Sequence, residues 1–429
     1  MRDKGEDFGG VLVPQGEIAE GRLDRASGDQ PAETSGGDFR RFRNMNAPVA
    51  DLLDELLQRG IADGASDIHI EPFETGATIR MRVDGVLHIY GVLPKTAHAP
   101  LISRIKILSD LDIAERRLPQ DGHFRVDRAG GDPVNIRVAL LPTVYGEKAA
   151  LRLLIPAAEI DHSDHFGMDE ESYRRFLPAL DRPSGLIYLT GPTGSGKTTT
   201  LYMILEYLSQ RPVNILTVEE PVEKNVPGVT QTQVAPGIGL TFETGLRALL
   251  RQDPDIIMVG ETRDGETAAM SVRAAITGHM VLSTLHTNNA AASVARLTDL
   301  GADRFLVSDS LICVAAQRLV RKTCPFCGKE TMEREGRVLG GEVLQVKRGT
   351  GCEKCGGTGY KGRIAVHEIL MADRSIREMI AQGAGSGEIE DYARSKQGMK
   401  TLWEKGLELV RQGLTTPEEV LKRCYTDFV

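Results

Sequence analysis

The stretch Gly191-Pro192-Thr193-Gly194-Ser195-Gly196-Lys197-Thr198 decides the fold of this chain. It satisfies the phosphate-loop pattern G-x-x-x-x-G-K-[ST] at every defined position. Leu186-Ile187-Tyr188-Leu189-Thr190 precedes it, a short apolar run that predicts a buried strand. Leu201, Ile204, Leu205 and Leu208 follow at helical spacing. Strand, glycine loop and helix in that order aim backbone N–H groups and a helix N-terminus at a phosphate. Residues Gly191 to Thr199 are therefore the expected nucleotide-binding set. Lys197 is placed to reach the β- and γ-phosphates as a point charge, and the Thr198 hydroxyl to ligate Mg²⁺. A nucleoside triphosphate is the expected ligand.

Working outward, 429 residues leave room for two or three domains. A net charge of −8 argues against a broad nucleic-acid surface, although a local basic groove stays open. No apolar run is long enough to cross a bilayer, and Met1 to Arg43 lacks the apolar core of a signal peptide. The expectation is a cytoplasmic protein that reaches a membrane only through a partner.

Residues 1–45 offer too little apolar surface to offset ordering and are expected to be a disordered tail. Beyond them Val49, Leu52, Leu53, Leu56 and Leu57 make a helical stripe. In Ser66-Asp67-Ile68-His69-Ile70-Glu71-Pro72, alternation puts Asp67, His69 and Glu71 on one face of a strand. A second strand from Thr78 runs into Asp84-Gly85, a hairpin signal, and Val86 to Tyr90 returns. Arg80 and Arg82 share one face of the second strand with no acid between them. Such a pair requires an anion or an acidic partner; the alternatives are a solvated face and a phosphate on a neighbouring subunit. Ala97 to Ser109 reads as an amphipathic helix carrying Arg104, and Leu111 to Arg125 carries Arg116-Arg117. Val134 to Leu140 and Ala149 to Leu154 read as strands. Residues 46–155 thus form an α+β domain of ordinary size. Residues 156–165 read as a polar linker whose His162 and His165 are exposed and hold no metal.

From 166 to 323 apolar strands alternate with helical patterns, which predicts a parallel sheet with crossover helices. Ligands of such sheets lie at the carboxyl ends of the strands. In Asp255-Ile256-Ile257-Met258-Val259-Gly260-Glu261 the two acids lie about 20 Å apart along an extended chain. Only Glu261 is on the phosphate side, so it is the expected acid for Mg²⁺ or for the attacking water. Glu219, Glu220 and Glu223 leave another strand at the same edge, and one of them is expected to polarise water. His279 and His286 bracket a strand, Gly278 to Ser283, that is expected to sense a γ-phosphate. Arg247, Arg251, Arg263 and Arg273 are scattered through the domain, and spacing does not choose among them.

Cys324-Pro325-Phe326-Cys327 and Cys352-Glu353-Lys354-Cys355 are two C-x-x-C knuckles, each followed by glycine. Four thiolates at Cys324, Cys327, Cys352 and Cys355 suit tetrahedral Zn²⁺, and a four-thiolate site is closed and structural. Residues 324–362 are read as this zinc module. Residues 363–429 are read as a helical C-terminal subdomain.

Taken together these segments resemble the secretion ATPase family that powers type II secretion and type IV pilus assembly. The resemblance rests on Ala65 to Pro72, the phosphate loop, Glu219-Glu220-Pro221-Val222-Glu223, Leu249 to Asp255, Gly260 to Asp264, Thr277-Gly278-His279 through Leu285-His286-Thr287-Asn288, and the tetracysteine region with Gly359-Tyr360-Lys361-Gly362-Arg363. It covers residue 46 to the C-terminus. It implies a RecA-like ATPase domain behind a PAS-like N-terminal domain, a homohexamer, and ATP near subunit boundaries. It implies that Arg80, Arg82, Arg104 and Arg117 approach the phosphates. It also implies an inner-membrane platform protein and a recruiting protein as partners, with no direct nucleic-acid contact. Two departures stand out. The family's acidic box usually has aspartate where this chain has Glu220, and only a short tail precedes Asn46 where many type II members carry a larger docking domain. The rival readings are a DNA-uptake or DNA-translocating hexamer on the same core, and a nucleotide-binding regulator without turnover.

Overall fold

The computed structural model describes residues 48–128, 131–155, 163–334 and 343–425. The tail 1–45 and the linker residues 156–162 lie outside the described residues.

The first domain comprises α1 (Val49–Ala62), β1 (Ala65–Pro72), β2 (Gly76–Val83), β3 (Val86–Pro94), α2 (Lys95–Leu108), β4 (Gln120–Arg128), β5 (Gly131–Thr143) and β6 (Gly146–Leu154). Its strands form one sheet in the order β3-β2-β1-β6-β5-β4. The apolar stripe of α1 and the inward residues of the strands share one core, with Leu52, Leu53, Leu56, Ile68, Ile70, Ile79, Met81 and Leu101 all buried. Each such side chain contributes about 1.5–3 kcal/mol on burial, which fixes the strand faces. The polar residues Asp67, His69, Glu71, Arg80 and Arg82 are consequently turned to the opposite face. Asp84 and Gly85 both take positive φ, 48° and 79°, as a two-residue hairpin turn between β2 and β3 requires. β4 begins in the stretch Leu111 to Arg125 and runs three residues beyond it.

The second domain continues with α3 (Glu170–Phe176), β7 (Gly185–Thr190), α4 (Lys197–Leu208), β8 (Ile215–Glu219), β9 (Val229–Gln233), α5 (Phe242–Leu249), β10 (Ile256–Val259), α6 (Gly265–Ile276), β11 (Met280–Leu285), α7 (Ala292–Asp299), α8 (Arg304–Ser310) and β12 (Leu311–Thr323). It is completed by β13 (Gly328–Arg334), β14 (Val343–Gly349), β15 (Tyr360–Met371), α9 (Arg374–Gln382), α10 (Ser386–Gln397), α11 (Leu402–Arg411) and α12 (Pro417–Cys424). The sheet order is β15-β12-β7-β11-β10-β8-β9. Every neighbouring pair is parallel except β12 with β15. Every residue of β7, β8, β10 and β11 is buried, as a parallel sheet covered on both faces demands.

Two expectations need correction. The chain is not helical from residue 363: β15 runs to Met371 and pairs with β12 from Cys313 to Thr323. The zinc module is therefore a loop-out between two strands of the central sheet, with β13 and β14 as its own hairpin. A helical subdomain begins at Arg374. The end of the proposed linker, Ser163–His165, is a helical turn, and the His165 ring stacks on Tyr173 at 4.3 Å.

Polar contacts between described residues join the domains. The Asp84 carboxylate accepts from the Gly362 N–H at 2.9 Å and lies 3.6 Å from Arg363. Arg137 on β5 lies 3.6 Å from Glu223.

Candidate functional site

β7 ends at Thr190, and the chain turns through Gly191, Gly194 and Gly196 at φ of 148°, 77° and 90°. These left-handed angles are reached at little cost only by glycine. At Gly191 the room is also fixed, since a Cβ would sit 2.5 Å from the Gln317 carbonyl oxygen. Gly196 caps α4, so the free amides at the start of that helix face the loop. The Ser195 hydroxyl is buried inside the loop without a hydrogen-bond partner. Lys197 is buried, and its Nζ donates to the loop's own carbonyls, 2.7 Å to Gly191 and 3.3 Å to Pro192. Thr198 and Thr199 are exposed. An orphaned hydroxyl, a folded-back ammonium and a free threonine hydroxyl are the groups a bound triphosphate with Mg²⁺ would engage. The residues fit that ligand.

Burial lowers the Lys197 pKa to about 8, against the pull of Glu261 and in the same direction as Arg318. A triphosphate binds the charged form, so binding should weaken as pH rises past that value. The Kd for ATP is expected to be about tenfold weaker at pH 9 than at pH 7, measured by fluorescent-nucleotide titration. A flat profile would count against Lys197 as the phosphate ligand.

Glu261 lies just past β10, and its turn is held tightly. Gly260 N–H donates to Val218 at 2.9 Å, Thr262 N–H to Thr284 at 3.0 Å, and Asp264 caps α6 through the Thr267 N–H at 2.8 Å. His286, the residue after β11, places Nε2 2.8 Å from Glu261 Oε1. Burial and the Lys197 ammonium hold the His286 imidazole below its usual range. The neutral ring therefore donates from Nε2, which leaves Nδ1 as an acceptor. Arg263 bridges two acids, with Nε 2.7 Å from Glu261 Oε2 and Nη1 2.8 Å from Glu220 Oε2. The structure thereby singles out Arg263 among the four scattered arginines. Arg247 pairs with Glu243 within its own helix, and Arg251 donates to the Arg247 carbonyl.

Other expected residues fall elsewhere. His279 precedes β11 at the amino end of the sheet, where its ring meets the Ala274 carbonyl at 2.9 Å. The six residues of β11 carry it about 20 Å from the loop of its own chain. It is removed from the intrachain site. Glu219 is buried, and its carboxylate accepts from Tyr202, from Thr217 at 2.5 Å and from Gln231 at 3.0 Å. It ties α4, β8 and β9 together, and at 3% exposure with both oxygens engaged by the protein it is turned into the interior, which counts against the water-polarising expectation for it. Glu220 is exposed on Arg263, and Glu223 reaches Arg137. The partners that Arg80 and Arg82 require are on β1: Glu71 lies 2.6 Å from Arg80, and Asp67 lies 3.7 Å from Arg82. Among the described residues Arg104 sits half-buried on α2 with its Nε unpaired, and the exposed Arg117 pairs with Glu115 at 2.8 Å.

The four module cysteines converge. Cys324 and Cys352 sulfurs are 3.9 Å apart, Cys327 and Cys355 3.8 Å, and Cys352 and Cys355 3.7 Å. Four sulfurs about 2.3 Å from one tetrahedral centre are about 3.8 Å from each other, so the cluster fits a zinc ion. The Cys352 and Gly359 N–H groups donate to Cys355 Sγ at 3.2 and 3.3 Å.

The family profile described as "Type II/IV secretion system protein" matches residues 43–422. The chain belongs to that family. It is 48% identical over 382 residues to the type IV pilus assembly ATPase PilB of Thermus thermophilus, covering 87% of this chain and 42% of that protein. It is 46% identical over 383 residues to the type II secretion system ATPase E of Vibrio cholerae, covering 88% of this chain and 75% of that protein. The chain thus spans less than half of the first relative and three quarters of the second. Among solved structures, the pilus retraction motor PilT with bound ADP aligns at a TM-score of 0.57 and 27% identity, over 87% of this chain and 97% of that one. The DotB ATPase of Legionella pneumophila aligns at 0.64 with 23% identity, over 91% and 96%, and shows the shared fold alone. This family member is an ATPase of the secretion and pilus-assembly class. These likenesses do not favour the DNA-translocating alternative.

Two residues at this family member's site carry no motif signal. Gln317 and Arg318 on β12 lie directly beneath the phosphate loop, with Arg318 Nη1 3.1 Å from where a Gly191 Cβ would be. Only the pairing of β12 with β7 brings them there, Ala316 lying opposite Thr190.

Proposed function

We propose that this protein is a homohexameric motor that hydrolyses ATP to build a type II secretion pseudopilus or a type IV pilus through an inner-membrane platform protein. The observation that carries this is the convergence of the phosphate loop, Glu261, His286 and Arg263 at one sheet edge, in a chain that also holds a four-cysteine cluster. The phosphates rest on the amides of residues 191–198, and Lys197 turns from its internal carbonyls to the β- and γ-phosphates. Thr198 and Glu261 would hold magnesium, which when bound would neutralise charge on the phosphate oxygens. Glu261, held between Arg263 and His286, orients the attacking water, and Glu220 and Glu223 shape the edge around it.

The site is completed across a subunit boundary. Arg80, Arg82, Arg104 and Arg117 of the first domain approach a neighbour's phosphates, and His279 belongs on such a boundary. The support is that these side chains reach solvent on the first domain, Arg80 and Arg82 at 37% exposure and Arg117 at 86%. The closed cysteine cluster holds structural zinc. The motor works at the cytoplasmic side of the inner membrane, where a recruiting protein holds it. No helix among the described residues is long and apolar enough to cross a membrane, which agrees with recruitment through partners.

The test is genetic and biochemical. A chromosomal Lys197→Ala substitution should abolish fibre assembly or secretion while the protein remains present, and a multi-span inner-membrane protein should copurify with wild type. Secretion and fibres undiminished in the mutant would refute the motor. Arg82→Ala should lower hydrolysis about 10²-fold, with activity restored when its subunits are mixed with Lys197→Ala subunits. Unchanged hydrolysis would remove Arg82 from the site.

A further inference from the structure

Behind His286 the chain is gripped from beneath by two opposite charges. Arg318 on β12 donates from Nη2 to the Asn288 carbonyl at 2.5 Å. Glu368 on β15 accepts the Ala290 N–H at 2.8 Å through Oε1. Ala316 lies opposite Glu368 in the β12–β15 ladder, so Arg318 and Glu368 stand two residues apart on one face. The second Glu368 oxygen accepts the Leu402 N–H at 3.1 Å, at the first residue of α11. Between the two grips, Asn289 donates to Glu390 of α10 at 2.8 Å.

The position is a costly one for an acid. Val366 and Leu370, two residues to either side on the same strand face, belong to the apolar core, and Glu368 itself is only 2% exposed. An apolar residue there would pack without the desolvation cost. Burial pushes the Glu368 pKa up to about 7, and the two backbone N–H groups hold it back. The carboxylate connects two segments far apart in sequence, and one of them begins four residues after the histidine that touches Glu261.

We propose that Glu368 is a positioning residue for hydrolysis: by holding the Ala290 and Leu402 amides together, it sets His286 against Glu261 and ties the 286–291 loop to the start of α11. This rests on the reading of Glu261 and His286 as the hydrolytic pair. Nucleotide binding itself is left to the phosphate loop, which Glu368 does not touch.

The test uses the full-length protein and single-turnover phosphate release, with ATP binding measured separately. Glu368→Gln keeps one acceptor and turns an amide donor toward the other N–H, so one grip is lost. Its kcat should fall about tenfold or more while the Kd for ATP stays within about twofold. Amide exchange should rise in 286–292 and 400–404 and not in the phosphate loop. Glu368→Met fills the apolar space without accepting either amide. It should keep its melting temperature and lose the same activity, whereas a role in stability alone predicts the reverse. In a His286→Ala background, Glu368→Gln should cause no further loss, because the residue acts through the histidine. An equal loss in both backgrounds, or wild-type kcat in Glu368→Gln, overturns the proposal. If His286→Ala hydrolyses at the wild-type rate, the hydrolytic pair itself is wrong; if it is impaired and Glu368→Gln is not, only the positioning role fails.

Discussion

Lys197→Ala should reduce phosphate release by roughly 10³-fold, the scale of a lost electrostatic contact to a transferring phosphoryl group. Among the described residues the buried ammonium donates to two loop carbonyls, Gly191 and Pro192. Both are neutral acceptors, so neither neutralises it, and burial already depresses its pKa. A triphosphate is the partner that would neutralise it. Removing the ammonium leaves the amide cradle and Thr198 in place, so ATP binding should weaken without vanishing. The fold should survive, because Lys197 bridges no separate elements. Phosphate release and nucleotide titration on the same preparation check this. Loss of activity together with a collapsed melting transition would instead assign Lys197 a structural role.

Cys352→Ser should have the second large effect, on stability and metal content together. Wild-type protein purified under reductant should carry about one zinc per chain, and the variant much less. A structural zinc site contributes on the order of 10 kcal/mol to the fold that forms it. Here the module sits between β12 and β15, and β12 is the direct neighbour of the phosphate-loop strand β7. Loosening it should therefore lower the melting temperature by roughly 10 °C or more, and impair hydrolysis at temperatures where the first domain is still folded. Strong chelation of the wild type should reproduce the loss, and added zinc should reverse it. Metal analysis that finds no zinc in the wild type would remove the module's proposed role.

What the sequence disclosed follows from how local each requirement is. The phosphate loop, the Asp84-Gly85 hairpin and the paired cysteines are short patterns whose geometry follows from their own residues. The position of Glu261 beyond β10 followed from strand length alone. The same rule, applied to His279, places it at the wrong end of β11; nearness in sequence to a strand does not say which end matters. The partners of Arg80 and Arg82 lie on β1, and register between strands is not written within either strand. Arg263 is chosen by Glu220, 43 residues away in the chain. Arg318 and Glu368 reach the loop after His286 from strands that flank the zinc module, and both strands passed unrecognised. β15 carries charged and polar residues at Lys361, Arg363, His367 and Glu368, which mask its strand pattern. The buried acid that breaks the pattern is the one that grips the loop.

Hydrolysis depends most directly on Glu261 as the acid that acts on ATP. Glu261→Gln preserves size and removes the charge that Arg263 and His286 hold. Phosphate release should fall about 10²–10³-fold, with ATP still bound about as tightly as by wild type. Wild-type protein that releases no more phosphate than Glu261→Gln, or a Glu261→Gln variant that hydrolyses normally, would contradict it.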